Sequence, residues 1–318
     1  MKISVAMCTY NGAEYLQQQL DSLELQTQQP FELVICDDRS TDATEEIVRR
    51  FSSSVRFPVR FSKNEANLGS TANFSQAIRL CHGDLIALCD QDDVWHPERL
   101  KKQAAQFEQD ATLGGSVCDG DLIDANSTPL NLSLWNSQDF TTPMRKDVSA
   151  GKTAGTLVRQ NFVTGAAFMF RASLRQHIFP IPEEWIHDAW IAWMLSLHSR
   201  LCLLPAQLIH YRIHARQQIG ANPQSLSDRF RRDTDLVIQR HGLELRRMKS
   251  LEERLRTERA AGAADSLELV RGKESFLQTR IELLQKRPVF RLFGLATNIR
   301  GYMRFAKGSK SLLGDLLL

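Results

Sequence analysis

Three carboxylates fall within four residues at Asp90-Gln91-Asp92-Asp93. Left ionised and unpaired, they would repel one another and resist desolvation, so the cluster needs water or a cation. Hard oxygen ligands suit Mg2+ or Mn2+, ions that keep coordination positions open for phosphate oxygens. A D-x-D triplet alone is common in solvated loops. Here it follows an apolar run at residues 85–89, and two further polar clusters sit the same way. Thr9, Tyr10 and Asn11 follow the run 3–8, and Asp37-Asp38 follows the run 32–36. In an open α/β sheet, ligands bind outside the carboxyl ends of the strands, so the three clusters point to one shared site. No G-x-G-x-x-G follows the first strand, which disfavours a dinucleotide-dependent oxidoreductase.

The elements that must position these groups alternate between strand and helix. Apolar runs predict strands at 3–8, 32–36, 85–89 and 115–118, with a weaker one at 58–62. Tyr15, Leu16, Gln19, Leu20 and Leu23 keep helical spacing, a second helix starts within 41–45, a third covers 70–81, and Pro97 opens a fourth. Continuous apolar strands in such alternation predict an α/β fold with a mostly parallel central sheet covered on both faces. Residues 127–155 lose periodicity and read as a long loop able to act as a lid. Beyond it, 161–171 reads as a strand with a Thr-Gly break, 187–198 as an amphipathic helix, and 200–204 and 207–214 as two strands. After Pro223 the pattern is helical and charged to about residue 287. The domain reading is therefore an α/β domain at 1–222, with halves at about 1–120 and about 121–222, followed by a helical basic extension at 223–318.

Composition sets the bounds. The 318 residues are 42% hydrophobic and 24% charged, which excludes a disordered chain, collagen or a coiled-coil rod. No 18-residue apolar run occurs; the most apolar window, 185–204, is broken by His187, Asp188, His198 and Arg200, so a transmembrane span is not expected. Residues 1–5 lead straight into a strand without a signal-peptide core, and the expected compartment is the cytoplasm. The six cysteines form no C-x-x-C pair and read as buried reduced thiols rather than a zinc site or disulfide framework. The net charge of +3 hides an asymmetry: residues 1–224 carry 20 basic against 25 acidic side chains, residues 225–318 carry 20 against 12. Between 286 and 310 there are seven basic residues and no acid, interleaved with Phe290, Leu292, Phe293, Leu295, Ile299, Tyr302, Met303 and Phe305. Such a segment suits peripheral contact with an anionic membrane; the alternative is a helical hairpin packed on the catalytic domain or forming a homodimer. Nucleic-acid binding is not expected, because the body is acidic and carries no nucleic-acid motif.

Residues 5–16 (VAMCTYNGAEYL), 34–42 (VICDDRSTD), 67–73 (NLGSTAN) and 83–100 (GDLIALCDQDDVWHPERL) together resemble the family 2 glycosyltransferases in order and spacing. The resemblance runs over about residues 1–215. His187-Asp188-Ala189-Trp190, Tyr211-Arg212-Ile213-His214 and Gln218-Ile219-Gly220-Ala221 resemble the subgroup that includes bacterial rhamnosyltransferases of surface-polysaccharide assembly, such as O-antigen. The resemblance implies a GT-A fold and a nucleotide-sugar donor, with dTDP-rhamnose suggested, and inverting transfer to a glycan or lipid-linked acceptor. A UDP-hexose-dependent transferase and an inactive nucleotide-sugar-binding protein are the alternatives. It places Thr9, Asn11 and Glu14 at the donor edge of the first strand, and Asp38 on the N3–H of a uracil or thymine ring. Gly69 and Asn73 would flank the nucleotide. Asp90 and Asp92 become the D-x-D pair, Asp92 as direct ligand of Mn2+ or Mg2+, Asp90 nearer the ribose or a metal-bound water, and His214 a further metal ligand. Asp188 matches the general base, with His187 able to orient it or act instead.

Several residues admit two readings. Trp190 and Trp193 share a helix face and serve either sugar stacking or the core. His198 and His210 read as packed or surface histidines, and Trp95 as an anchor for the acidic loop. Arg212 and Arg216 read either as diphosphate-neutralising groups or as ordinary surface salt links. Arg39 and Ala189 depart from the family's usual residues and bear on donor and acceptor choice.

Overall fold

The computed structural model describes residues 1–215, 217, 234–260, 262–286, 294–295 and 297–318. It forms two compact units, one of residues 1–151 and 162–221, the other of 152–161 and 222–318.

The first unit is α/β. Its elements are β1 (Ile3–Thr9), α1 (Leu16–Glu24), β2 (Glu32–Asp37), α2 (Thr44–Ser52), β3 (Val59–Lys63), α3 (Ser70–Leu80), β4 (Leu85–Cys89) and β5 (Val94–Trp95). They continue with α4 (Arg99–Gln109), β6 (Leu113–Ile123), β7 (Pro129–Ser133), α5 (Leu134–Ser137) and α6 (Thr142–Ser149). After α7 (Thr153–Leu157), which belongs to the second unit, come β8 (Phe168–Arg171), α8 (Arg175–Ile178), α9 (His187–His198) and β9 (Arg200–Arg212). One sheet runs in the order β3-β2-β1-β4-β8-β6-β9-β5, with β7 hydrogen-bonded to β6. The long pairings β1–β2, β1–β4, β2–β3 and β6–β9 are parallel. Strand β8 lies antiparallel between β4 and β6. The carboxyl ends of β1, β2, β4, β6 and β9 therefore share one edge with the amino end of β8, and every strongly polar strand end of the sequence is delivered there.

Patterning explains the arrangement. Strand β1 has neighbours on both sides, and Ile3, Val5, Ala6 and Met7 are all at most 1% exposed. The helices bury only one stripe: Leu16, Leu20 and Leu23 on α1, and Ile47, Val48 and Phe51 on α2, whose solvent face carries a Glu45–Arg49 pair. Each such buried Leu or Ile contributes about 1.5–3 kcal/mol. Cys36, Cys81, Cys89 and Cys118 are buried free thiols as expected, while Cys8 and Cys202 are also free but only partly buried.

Three elements differ from the reading of the sequence. Residues 127–155 are not a loop but contain β7, α5, α6 and the start of α7. Only 168–171 of the expected strand 161–171 is extended, because Gly165–Ala167 forms a short 3-10 turn. The two strands expected at 200–204 and 207–214 are one, β9. Its register against β6 passes from Cys118↔Leu204 to Asp119↔Gln207, so Pro205 and Ala206 lie in a bulge that a proline tolerates.

The second unit is helical: α7, α10 (Thr234–Thr257), α11 (Ala263–Leu284), α12 (Ile299–Phe305) and α13 (Ser309–Leu316). No helix among the described residues is long and apolar enough to cross a membrane.

Candidate active site

The acidic loop is held from several directions, and its three aspartates differ in environment. Gln91 is its first anchor: the Tyr10 amide donates to Gln91 Oε1 at 2.8 Å, and Gln91 Nε2 donates to the Tyr10 carbonyl at 3.1 Å. Gly12 permits this close approach, because a Cβ there would lie 2.2 Å from Gln91 Oε1. Asp93 is fully buried, and its Oδ1 accepts the Arg212 amide at 2.9 Å while Oδ2 has no partner. Burial first, then the charges of Asp92 and Asp90, push its carboxyl well above the usual range. Asp93 is thus a support that ties the loop to the end of β9. Asp92 faces the other way, with Oδ2 2.8 Å from His214 Nε2. The His214 ring is tilted against Tyr15 at 4.8 Å between centroids. Asp90 is partly exposed; burial, then the charges of Asp92 and Asp188, push its pKa up to about 8.

Two buried arginines lie under this loop. Arg99 is 0% exposed, with its guanidinium 3.5 Å from the Trp95 ring centroid, and its charge opposes the upward shifts of Asp90 and Asp93. Trp95 is buried and its amide donates to Ser22 Oγ at 3.0 Å, which makes it the anchor expected. Arg212 is also 0% exposed. Its Nε donates to the Asp92 carbonyl at 2.7 Å, one terminal nitrogen to the Asp124 and Ala125 carbonyls and Ser127 Oγ, and the other to Gln18 Oε1 at 2.6 Å. The surface salt link among its sequence readings does not describe this: Arg212 is buried and acts as a clamp between the acidic loop, the 124–127 turn and α1. Arg216 and residues 218–221 lie outside the described residues.

At the ends of β1 and β2 the predicted donor residues converge, though several are committed to the scaffold. Thr9 Oγ1 donates to Asp37 Oδ1 at 2.7 Å, joining the two strand ends. Asn11 and Arg39 adopt positive φ angles of 47° and 69°. Asn11 Oδ1 accepts the Thr41 amide at 2.9 Å, which ties the two turns together. Glu14 is exposed on the approach to α1. Asp38 is 3% exposed; Oδ1 accepts the Leu68 amide at 2.7 Å and Asn64 Nδ2 at 3.0 Å, and Oδ2 accepts the Gly69 amide at 2.9 Å. Gly69, at φ 80°, opens α3 from this carboxylate. Asn73 is buried and holds the Cys36 carbonyl and Asn64, so its side chain serves the scaffold.

Asp188 stands in the first turn of α9, 9% exposed, as a residue of the same edge. Its Oδ2 accepts the Gly165 amide at 2.9 Å and its Oδ1 accepts the Ala189 amide at 2.5 Å. Backbone donors at a helix start fix the carboxylate's direction. Gly165 was not singled out by sequence reasoning, although the Thr-Gly break at 164–165 was its signal. A Cβ there would lie 3.0 Å from His187 Nε2. His187 does not hydrogen-bond Asp188: it is stacked on Phe74 at 3.9 Å, both ring nitrogens lack a partner, and burial lowers its pKa to about 3. Trp190 and Trp193 are 1% and 2% exposed, and Trp190 Nε1 donates to the Ile178 carbonyl, so both belong to the core. His198 is stacked on His177, and His210 lies half-exposed near Asp121.

The donor set suits a divalent cation in charge: after burial, the neighbouring charges of Asp92 and Asp188 raise the Asp90 pKa further, a repulsion that a cation relieves. Asp92 and His214 are brought together, whereas the ligand atoms of Asp90, Asp92 and His214 do not all lie within 4.8 Å of one another.

Comparison with known proteins places this geometry. Residues 4–177 match the family model "Glycosyl transferase family 2". An uncharacterized glycosyltransferase of Nostoc sp. is 27% identical over 225 residues, covering 70% of this chain and 66% of that protein. The chain thus spans just under two thirds of that relative. Staphylococcus aureus TarS, solved with UDP-GlcNAc, superposes with a TM-score of 0.61 at 19% identity, over 95% of this chain and 81% of that one. A mannosyltransferase of Pyrobaculum calidifontis, solved with GDP-Man and Mn2+, gives a TM-score of 0.57 at 16% identity, over 93% and 74%. The structural likenesses show a GT-A-like fold, as the sequence implied.

Proposed function

The chain belongs to glycosyl transferase family 2, and we propose that it is an inverting, metal-dependent glycosyltransferase that uses a nucleotide-sugar donor. One observation carries the reading: Asp188, fixed by the Gly165 amide, lies on the same sheet edge as the Asp92–His214 pair and contributes to the charge felt by Asp90.

The residues divide the work as follows. Asp38 Oδ2 keeps a lone pair beyond its bond to Gly69 and accepts the N3–H of a uracil or thymine ring. Asn11 and Glu14 line the donor edge beside it, and Asp90 meets the ribose side. Asp92 and His214 would hold Mn2+ or Mg2+, with Asp90 as the neighbouring carboxylate. A bound divalent ion supplies Lewis-acid stabilisation of charge on the departing diphosphate. Asp188 accepts the proton of the acceptor hydroxyl while that oxygen bonds to the anomeric carbon from the face opposite the diphosphate. The carbon–oxygen bond to phosphate breaks and its electron pair leaves with the diphosphate, which inverts the centre.

The donor is dTDP-rhamnose, on the resemblance at 187–190 and 211–214, and the acceptor is a glycan or lipid-linked saccharide of surface-polysaccharide synthesis. The protein works in the cytoplasm, peripherally on the inner face of the membrane. TarS with UDP-GlcNAc favours a second reading, a UDP-hexose donor. Joint retention of Asp92, Asp188 and His214 argues against an inactive binder.

Isothermal titration with dTDP-rhamnose, UDP-glucose and UDP-galactose, each with Mn2+ and then EDTA, tests the proposal on wild type and Asp92→Ala. Metal-dependent heat for one donor, lost in the variant, is expected. Equal binding with EDTA, or an unaffected variant, refutes the metal site.

A further inference from the structure

Part of the segment 127–155, expected to form a lid, is instead a brace tied to the sheet. The Trp135 amide of α5 donates to Asp119 Oδ1 of β6 at 3.0 Å. From α6, Arg145 donates to Asn136 Oδ1 at 2.9 Å and to the Phe140 carbonyl at 2.8 Å. Trp135 and Phe140 are 1% and 0% exposed, and their rings meet edge-on at 5.6 Å. The segment 134–140 is thus held from β6, from α6 and by its own buried rings.

This brace grips the turn beside Asp188 at two points. The Phe140 ring stacks on Phe162, with 4.6 Å between centroids and 10° between planes, and Gln138 Nε2 donates to Thr164 Oγ1 at 2.6 Å. The far end of the same turn is held from the core, where Gln103 Nε2 donates to the Ala167 carbonyl at 3.1 Å and to the Ser116 carbonyl at 3.0 Å. Within the turn, the Ala167 amide donates to the Thr164 carbonyl at 2.9 Å. Gly165 stands between the two grips, and its amide is the donor to Asp188 Oδ2. All of these residues belong to the first unit.

We propose that Gln138 is a positioning residue for the transfer reaction: through Thr164 it fixes the 164–167 turn, and the Gly165 amide of that turn aims the Asp188 carboxylate. The inference rests on Asp188 as the base of the proposed function. A general base must lie within about 2.6–3.2 Å of the group whose proton it takes, so its direction matters as much as its presence. A misplacement of about 1 Å costs on the order of 100-fold in rate. Gln138 is half-buried, whereas Gln103 is 0% exposed, so Gln138 is the grip that can be removed without opening the core. Asp38 is held by Asn64, Leu68 and Gly69, none of them in the brace, so nucleotide affinity should not depend on Gln138.

The test uses the full chain with Mn2+ and UDP-glucose, UDP-galactose or dTDP-rhamnose, with water in place of the acceptor, and follows release of the nucleoside diphosphate. Gln138→Leu and Thr164→Val each remove one side of the bond. In each, kcat should fall about tenfold or more while KM and Kd for the donor stay within about twofold of wild type. The double variant should lose no more than the worse single one, since both changes remove the same link. Hydrogen exchange of the peptide 162–167, read by mass spectrometry, should quicken in both single variants. An unchanged kcat, a change in donor KM alone, additive losses in the double variant, or unchanged exchange at 162–167 overturns the proposal. Asp188→Asn in the same assay tells the two readings apart. A lost rate there with none lost in Gln138→Leu overturns the positioning role alone, whereas retained turnover there removes the base and this inference with it. If wild type hydrolyses none of the three donors, the donor reading is at fault, and exchange at 162–167 decides the inference.

Discussion

Replacing Arg212 by Met keeps the length of the stem and removes the fork that holds the acidic loop. In the native protein the buried guanidinium donates to the carbonyls of Asp92, Asp124 and Ala125, to Ser127 Oγ and to Gln18 Oε1, and no ion pair accompanies it among the described residues. A hydrogen bond from a charged donor contributes about 1.5–3 kcal/mol, and these five are not additive because they share one donor group. The 124–127 turn is largely exposed, so water can satisfy its carbonyls once the arginine is gone. The expected loss is therefore about 3–5 kcal/mol, against a usual domain stability of about 5–15 kcal/mol. Arg212→Lys keeps the charge as a point donor and should lose about half as much. All five tryptophans lie between residues 95 and 193, so urea unfolding followed by tryptophan fluorescence reports on the α/β unit. Because Nε holds the Asp92 carbonyl, Mn2+-dependent UDP binding should also fall by about tenfold or more in the Met variant. A loss under about 1 kcal/mol together with unchanged metal–nucleotide binding would refute the clamp.

Two further outcomes follow from the acceptor end of the site. Asp188→Asn keeps an acceptor for the Gly165 amide but cannot take a proton; donor affinity should stay near wild type while transfer falls about 10²–10⁴-fold, and retention of most turnover would remove Asp188 from the base role. His187, with its pKa lowered to about 3 from 6.5 by burial, is neutral in the folded protein at pH values where the unfolded chain binds a proton. Its contribution is present above pH 6.5 and is lost as pH falls toward 3, at about 1.4 kcal/mol per pH unit. His187→Phe, stacked on Phe74 in its place, should remove that slope, so between pH 7 and 5 wild type should lose about 2 kcal/mol more than the variant in urea unfolding. Parallel pH dependence of the two proteins would contradict the buried neutral imidazole.

The α/β half was legible because its strands are uninterrupted apolar runs whose ends are polar. Periodicity reports burial, and burial on both faces is what β1, β2 and β4 share. It failed where burial is not periodic. Strand β7 is exposed along most of its length, so Pro129, Leu130, Asn131 and Leu132 carry no alternation to read. In β9, Pro205 broke the pattern although the strand continues around it through the bulge. Positive φ at Arg39 left no trace, since arginine carries none of the preference for that conformation that glycine and asparagine, as at Asn11, have.

At the site, residue type and order located the edge but could not divide the labour within it. Asp90, Asp92 and Asp93 are the same side chain one or two positions apart, and only their surroundings separate them. Asp93 points into the core, where the Arg212 amide meets one oxygen and the charge of Arg99 lies nearby. Asp92 points out to His214, which follows β9 at the same edge. Asp90 lies between, pressed by two neighbouring carboxylates. Two buried arginines support this division in different ways: Arg99 supplies charge near Asp90 and Asp93, and Arg212 ties the loop through the Asp92 carbonyl and Asp93 Oδ1. A sequence motif counts the acids; the Arg99 charge from α4 and the Arg212 hydrogen bonds from the end of β9 reach the loop only on folding.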